Sequence, residues 1–426
     1  MKKILALTLS YFVINSCIAQ SSSKNHPLEK LGQAYITAHN TTDTLQFRQW
    51  MANTNLDAAT QARKIQGFKN GCRMVGPVQP VHSQSLSDSS IQLLVKDNQF
   101  DAWWKIRIYT NSNGAFKDRT LQPHRFSTEL IQKGKLTKEE FQVQLDNYLS
   151  QKLQPFSGEI LITKGEETFY HKKIGNTTAY GLASLSKIFA ATVILQLRDQ
   201  GKLSLEDSLS KHLPFIINPA IRPITIHQLL THSSGLGDFF EQPEYHQLKS
   251  MLKTDVDFLP VLEADQLKFT PGTQWQYSNN GFAWLGILIS TITKQPYEEY
   301  LRQAIFNPAQ MNHTNVQNGS GGGVSTVEDL NKFATALRTQ KLLSKNSNTE
   351  LLTYTFNDEY GLGSEHAQIG KEQVVGHSGG FEKVCTELNI YLQSGYHVII
   401  LSDVDPPFAH FLSNKIKELL IRDYSP

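Results

Sequence analysis

Cysteine is scarce: the chain of 426 residues holds three. One of them, Cys17, lies in an N-terminal stretch of leader character, which leaves Cys72 and Cys385. Two cysteines in so long a chain make no disulfide framework, and sequence does not show whether they pair. No cysteine or histidine cluster has metal-ligand spacing, so neither a metal nor a cofactor is indicated. No basic run stands out, and a net charge of +2 points to no polyanion, so nucleic acid is not an expected partner. After the first twenty residues no stretch reaches the roughly 18 to 20 unbroken apolar residues of a spanning helix. Internal repeats and low-complexity tracts are missing as well.

What remains is the composition of a soluble globular protein, 39% hydrophobic and 19% charged. The first nineteen residues stand apart. Met1-Lys2-Lys3 is basic, Ile4 to Ile14 is apolar but too short to span, and Cys17-Ile18-Ala19 is small-residue rich. This is the pattern of a secretory signal. Cleavage after Ala19 releases a soluble protein beginning at Gln20, and this is the favoured cut. Cleavage before Cys17 leaves a lipid-bearing cysteine and a membrane anchor. Either way the chain is expected to be secreted or periplasmic.

From about 28 to 70 apolar residues recur at helical spacing. "IQLLVKD" (91–97) and "WWKIRIY" (103–109) then read as strands, with Trp104, Ile106 and Ile108 alternating with Lys105 and Arg107. Asn113-Gly114 marks a hairpin turn. Residues 20–135 are therefore expected to form a small α+β domain. Thr137-Lys-Glu-Glu140 is a capping-box pattern that opens a new helix, and the second domain is placed at 136–426.

Three elements of that second stretch suit chemistry. Ser184 precedes Lys187 by three residues in "YGLASLSK", ahead of an apolar run. At a helix start the two side chains share a face. The positive helix end and burial both push a lysine pKa down, which a base near neutral pH requires. Ser-x-x-Lys is common by chance, however, and Ser184 read alone is equally an N-cap. Tyr277-Ser278-Asn279 follows Pro271-Gly272 and precedes an apolar run; the phenol suits proton sharing and the amide suits a substrate carbonyl. His377-Ser378-Gly379-Gly380 lies between strand-like stretches, and its glycines permit close backbone approach. A backbone N–H there suits an oxyanion hole together with that of Ser184.

These three motifs, in this order, resemble those of the serine β-lactamase and penicillin-binding-protein superfamily, closest to the class C-like branch of DD-carboxypeptidase and esterase relatives. The phrases "QGKLSLEDSLSKHLP" (200–214), "ITIHQLLTHSSGL" (224–236) and "GGVSTVEDLNKFATAL" (322–337) carry the same resemblance. Tyr-Ser-Asn and His-Ser-Gly stand here in place of the Ser-Asp-Asn and Lys-Thr-Gly boxes of class A enzymes. The resemblance implies an α/β (α+β) fold: an antiparallel sheet flanked by helices, with a helical lobe and the site between them. The amphipathic 408–424 segment is expected to pack on the sheet beside the helix near 137–151. By resemblance Ser184 is the acylated nucleophile, Lys187 its base and Tyr277 the proton relay. Asn279 and His377 contact substrate, and Gly379 and Gly380 belong to the oxyanion strand. The implied partner is a small-molecule or peptide substrate, including cell-wall-derived ones. His232 is read as structural. Only six residues separate "PAQMNHT" (308–314) from "GGGVST" (321–326). So short a wall is expected to leave an open cleft suited to esters or peptides over a tightly held β-lactam. The expected function is thus a serine hydrolase of esters or D-amino-acid peptides. A true β-lactamase and a ligand-sensing protein without turnover remain the alternatives.

Overall fold

The computed structural model describes residues 27–124, 134–252 and 254–421. The signal segment, with Cys17 and Ala19, lies outside them. Among the described residues no helix is long and apolar enough to cross a membrane. The chain forms two compact units that divide at Gln122/Pro123.

The first unit carries α1 (Pro27–Asn40), α2 (Thr44–Ala52) and α3 (Ala58–Val75), then a sheet in the order β1-β2-β3-β4. Its strands are β1 (Val78–Ser87), β2 (Ser90–Asp97), β3 (Trp103–Thr110) and β4 (Phe116–Pro123). The period-two pattern of β3 buries Trp104, Ile106 and Ile108 completely. Phe47 and Phe68 stack at 4.3 Å within its core. Cys72 is buried and free here, as Cys385 is in the second unit.

The second unit opens with α4 (Lys138–Gln151), capped reciprocally by Thr137 and Glu140. A six-stranded antiparallel sheet follows, built from β5 (Gly158–Lys164), β6 (Glu167–Ile174), β7 (Glu365–Ile369), β8 (Glu372–Phe381), β9 (Val384–Tyr391) and β10 (Tyr396–Ser402). Their order is β6-β5-β10-β9-β8-β7. The last strand thus lies beside the first, with Ile399 opposite Leu161. Alternate residues serve two faces. Leu388, Ile390, Ile399 and Leu401 join the large core with α5 (Lys187–Asp199), α6 (Asn279–Thr293) and α7 (Val327–Arg338). Glu387 and Asn389 point instead to α8 (Phe408–Leu420), which packs on β9, β10 and α4. In α5 every residue from Lys187 to Leu195 is buried, because its neighbours α6, β8 and the 302–306 turn cover it on several sides. The apolar shell that stabilises this helix, at about 1.5–3 kcal/mol per buried large side chain, makes the charged form of Lys187 costly.

Candidate active site

Ser184 is half-buried in a single 3₁₀ turn, Ala183–Ser186, that leads into α5. The regular helix begins only at Lys187. Just before Ser184, Ala183 takes φ +46°, a left-handed conformation that costs a non-glycine residue of order 1–3 kcal/mol. The turn is held from two sides. The carbonyl of Ala183 accepts from Gly322 N–H and from Ser186 Oγ, each at 3.1 Å, and Leu182 N–H donates to Gly323 O at 3.0 Å. On the other side β8 comes very close. A Cβ on Gly379 would stand 2.1 Å from Leu182 O, so only glycine fits there.

Lys187 is fully buried beneath Ser184. Its Nζ lies 3.1 Å from Ser184 Oγ. It donates to Asn279 Oδ1 at 2.7 Å and to the carbonyl of Ser320. A neutral amine has two N–H groups and one lone pair. With both N–H groups directed at Asn279 and Ser320, the lone pair is left for the Ser184 hydroxyl. Burial pushes the lysine pKa down to about 7, against an opposing pull from Asp238 and Glu365. The Tyr277 ring centre is 5.1 Å from Nζ.

The Tyr277–Asn279 segment is fixed by its own capping. Ser278 Oγ accepts from Gly281 N–H at 3.0 Å, starting α6, and donates to Gly237 O at 2.7 Å. Ser278 N–H donates to His232 Nδ1 at 3.1 Å. His232 is fully buried, its ring 4.4 Å from that of Tyr277. Burial, with the charges of Lys187 and His377, holds its pKa well below the usual histidine value, so it stays neutral and braces the Tyr277 loop. Asn279 Nδ2 donates to Asp238 Oδ2 at 2.7 Å, which turns its carbonyl end toward Lys187.

His377 lies on β8 opposite Leu388. Its Nδ1 donates to Ser378 O at 2.6 Å, so Nε2 accepts from Tyr360 OH at 3.1 Å. Ser378 gives both its donors to Glu365, N–H at 2.9 Å and Oγ at 2.8 Å.

Ser184, Tyr277, Asn279, His377 and Gly380 all line one cleft of about 750 Å³. Lys187 lies under its floor, and Gly379 faces Leu182 rather than the opening. The short 315–323 segment forms one wall through Gln317, Asn318 and Ser320. Phe239, Phe240, Tyr245, Phe258 and Phe381 form another. Phe240 and Phe381 stack across it, with centres 6.0 Å apart. Among the described lining residues none is lysine or arginine. Asp238, Ser320, Tyr360 and Glu365 escaped the sequence reading. The only signal for Asp238 was its place just after the "LLTHSSGL" phrase; the other three carry none.

The family model described as Beta-lactamase matches residues 150–420. Protein flp of Staphylococcus aureus (strain MW2) is 33% identical over 190 residues, which is 41% of this chain and 38% of flp. The chain therefore matches well under half the length of that relative. The crystal structure of a penicillin binding protein from Bacillus halodurans is similar at TM-score 0.56 and 25% identity, over 67% of this chain and 100% of that one. The D-stereospecific amidohydrolase from Streptomyces sp. is similar in fold at TM-score 0.57 and 23% identity, over 65% of this chain and 98% of that one.

Proposed function

Because the chain belongs to the beta-lactamase family, we propose that it is a serine hydrolase of esters or amides, including those of D-amino acids. The observation that carries this is the buried Lys187 amine, 3.1 Å from Ser184 Oγ with a pKa near 7. Lys187 takes the hydroxyl proton as Ser184 Oγ bonds to the substrate carbonyl carbon. The carbonyl oxygen gains negative charge, which the backbone N–H groups of Ser184 and Gly380 receive. Collapse breaks the C–O or C–N bond, and the leaving group takes the proton back by way of Tyr277. Water then adds to the acyl-enzyme, gives up a proton along the same route, and releases the acid.

The cleft also argues for a substrate class. A penicillin, or a peptide ending in D-alanine, carries a carboxylate beside the scissile bond. Here Ser378 has spent both donors on Glu365, and no lysine or arginine lines the cleft among the described residues. A carboxylate there would find no lysine or arginine among the described lining residues to offset its desolvation. The five aromatic side chains favour an apolar group next to the scissile carbonyl. The amidohydrolase named above, a relative in fold, is D-stereospecific, and D-amino-acid amides belong in the substrate panel for that reason. The basic and apolar pattern of residues 1–19 supports export, in soluble form or anchored through Cys17.

Labelling with a serine-reactive fluorophosphonate, native protein against Ser184→Ala, tests the nucleophile, and the variant is expected to lose labelling. Nitrophenyl esters, D-amino-acid amides, D-Ala-D-Ala peptides and a chromogenic cephalosporin then test the substrate class. Esters and amides are expected to turn over, while comparable turnover of the cephalosporin would overturn the carboxylate argument. A burst of one product per enzyme with no steady state would identify a non-turnover binder.

A further inference from the structure

A second carboxylate lies buried behind the cleft wall and takes no part in the chemistry above. Asp255, in the short turn Asp255–Phe258, is 3% exposed. Both its oxygens accept the N–H of Gly319, at 3.0 and 3.2 Å. It also presses on α6, where a Cβ on Gly286 would stand 2.2 Å from a carboxylate oxygen. Gly319 precedes Ser320, whose carbonyl accepts from Lys187 Nζ. Asn318 Oδ1 shapes the same turn, accepting from Ser320 N–H at 3.0 Å, Ser320 Oγ at 2.6 Å and Gly321 N–H at 3.1 Å. Asn318 therefore closes the turn on itself, while Asp255 ties it to the helical lobe.

We propose that Asp255 is a positioning residue for the Ser184–Lys187 pair, acting through Gly319 to hold the Ser320 carbonyl against the lysine amine. The proposal rests on the function argued above. Its logic is the donor count at Nζ. While Ser320 O and Asn279 Oδ1 take the two N–H groups, the lone pair faces Ser184. If Ser320 drifts, an N–H is free to turn onto Ser184 Oγ and the base is misaligned. Burial pushes the Asp255 carboxyl up to about 8, against the pull of the Gly319 N–H. A buried carboxyl is costly unless it is hydrogen-bonded, and the Gly319 N–H is the donor that both its oxygens receive. The titratable group that faces Asp255 is the buried Tyr297. Those that face Lys187 are Asp238, Glu365, His232 and Tyr277.

The test follows the fluorophosphonate labelling rate of the full chain between about pH 5 and pH 9, where a lysine base near neutrality shows its limb. Asp255→Ala is expected to label about tenfold more slowly or worse, as misplaced groups do. Its acid limb is expected to move down by about one pH unit, because protonated Lys187 loses an acceptor. Asp255→Asn keeps an oxygen for Gly319 N–H and is expected to hold both rate and limb close to the native ones, which a merely packing role would not distinguish. Should Asp255→Ala lack a cooperative melt, Gly286→Ala replaces it: the new methyl displaces the carboxylate and is expected to reproduce the slow rate and moved limb. A folded Asp255→Ala or Gly286→Ala with native rate and limb overturns the proposal. So does an Asp255→Asn as impaired as Asp255→Ala. Failure of the native protein to label through Ser184 would instead overturn the function on which the proposal rests.

Discussion

Lys187 and Glu387 are both fully buried in the second unit, yet their surroundings drive them in opposite directions. Burial disfavours the charge on each. At Glu387 that penalty is overcome. His410 Nδ1 bonds to its carboxylate at 2.8 Å, Lys417 adds positive charge, and the pKa ends below the ordinary glutamate value. At Lys187 the contacts are neutral oxygens, and the carboxylates Asp238 and Glu365 act from farther off, so the amine falls to about 7. The first arrangement fixes a charge between β9 and α8; the second leaves a proton free to move. A buried ionisable group at one pole of this sheet is structural, and at the other it is poised for proton transfer.

Four variants break or sharpen that contrast. Ser184→Ala removes labelling outright. Lys187→Met is expected to slow labelling about a thousandfold near pH 7 while leaving the fold, because a positioned base supplies roughly 10²–10⁴; this is measured by labelling rate and circular dichroism. Glu387→Gln should do the reverse. Loss of one partner of a buried pair costs about 3 kcal/mol, read as a lower midpoint in urea, with labelling per folded molecule unchanged. The native stability at stake is present above the ordinary glutamate pKa and is lost as pH falls through the lowered folded value, so the difference between native and variant narrows in acid. Asp238→Asn is the smallest change. It keeps an acceptor for Asn279 but removes a charge that favours protonated Lys187, so the acid limb should move down by about half a pH unit.

The legible parts of this protein were those written at short range. Ser184 and Lys187 are separated by one helical turn, and Tyr277 and Asn279 sit at the capped start of α6. His377 and Gly380 lie on a single strand. The amphipathic pattern of the 408–424 segment announced the packing of α8 (Phe408–Leu420) on the sheet, residues 422–424 lying outside the described ones, and the alternation in β3 announced its buried face. The 3₁₀ turn at Ser184 was hidden because it depends on Ala183 at φ +46°, pinned by Gly322 and β8 from distant parts of the chain. Asp238, Asp255, Ser320 and Glu365 were invisible for a related reason. Each meets Lys187 or its neighbours only after the chain has folded, and none follows a period or spacing. The placement of β10 between β5 and β9 is likewise a long-range pairing.

The claim on which all of this turns is that Lys187 is a neutral base at physiological pH. Its most direct measurement is the pH dependence of Ser184 labelling by the fluorophosphonate in the native protein. A rate that rises with a midpoint at about 7 and levels off above it is the predicted result. A rate that stays flat from about pH 5 to pH 9, or climbs only toward the ordinary lysine pKa near 10.4, would contradict it.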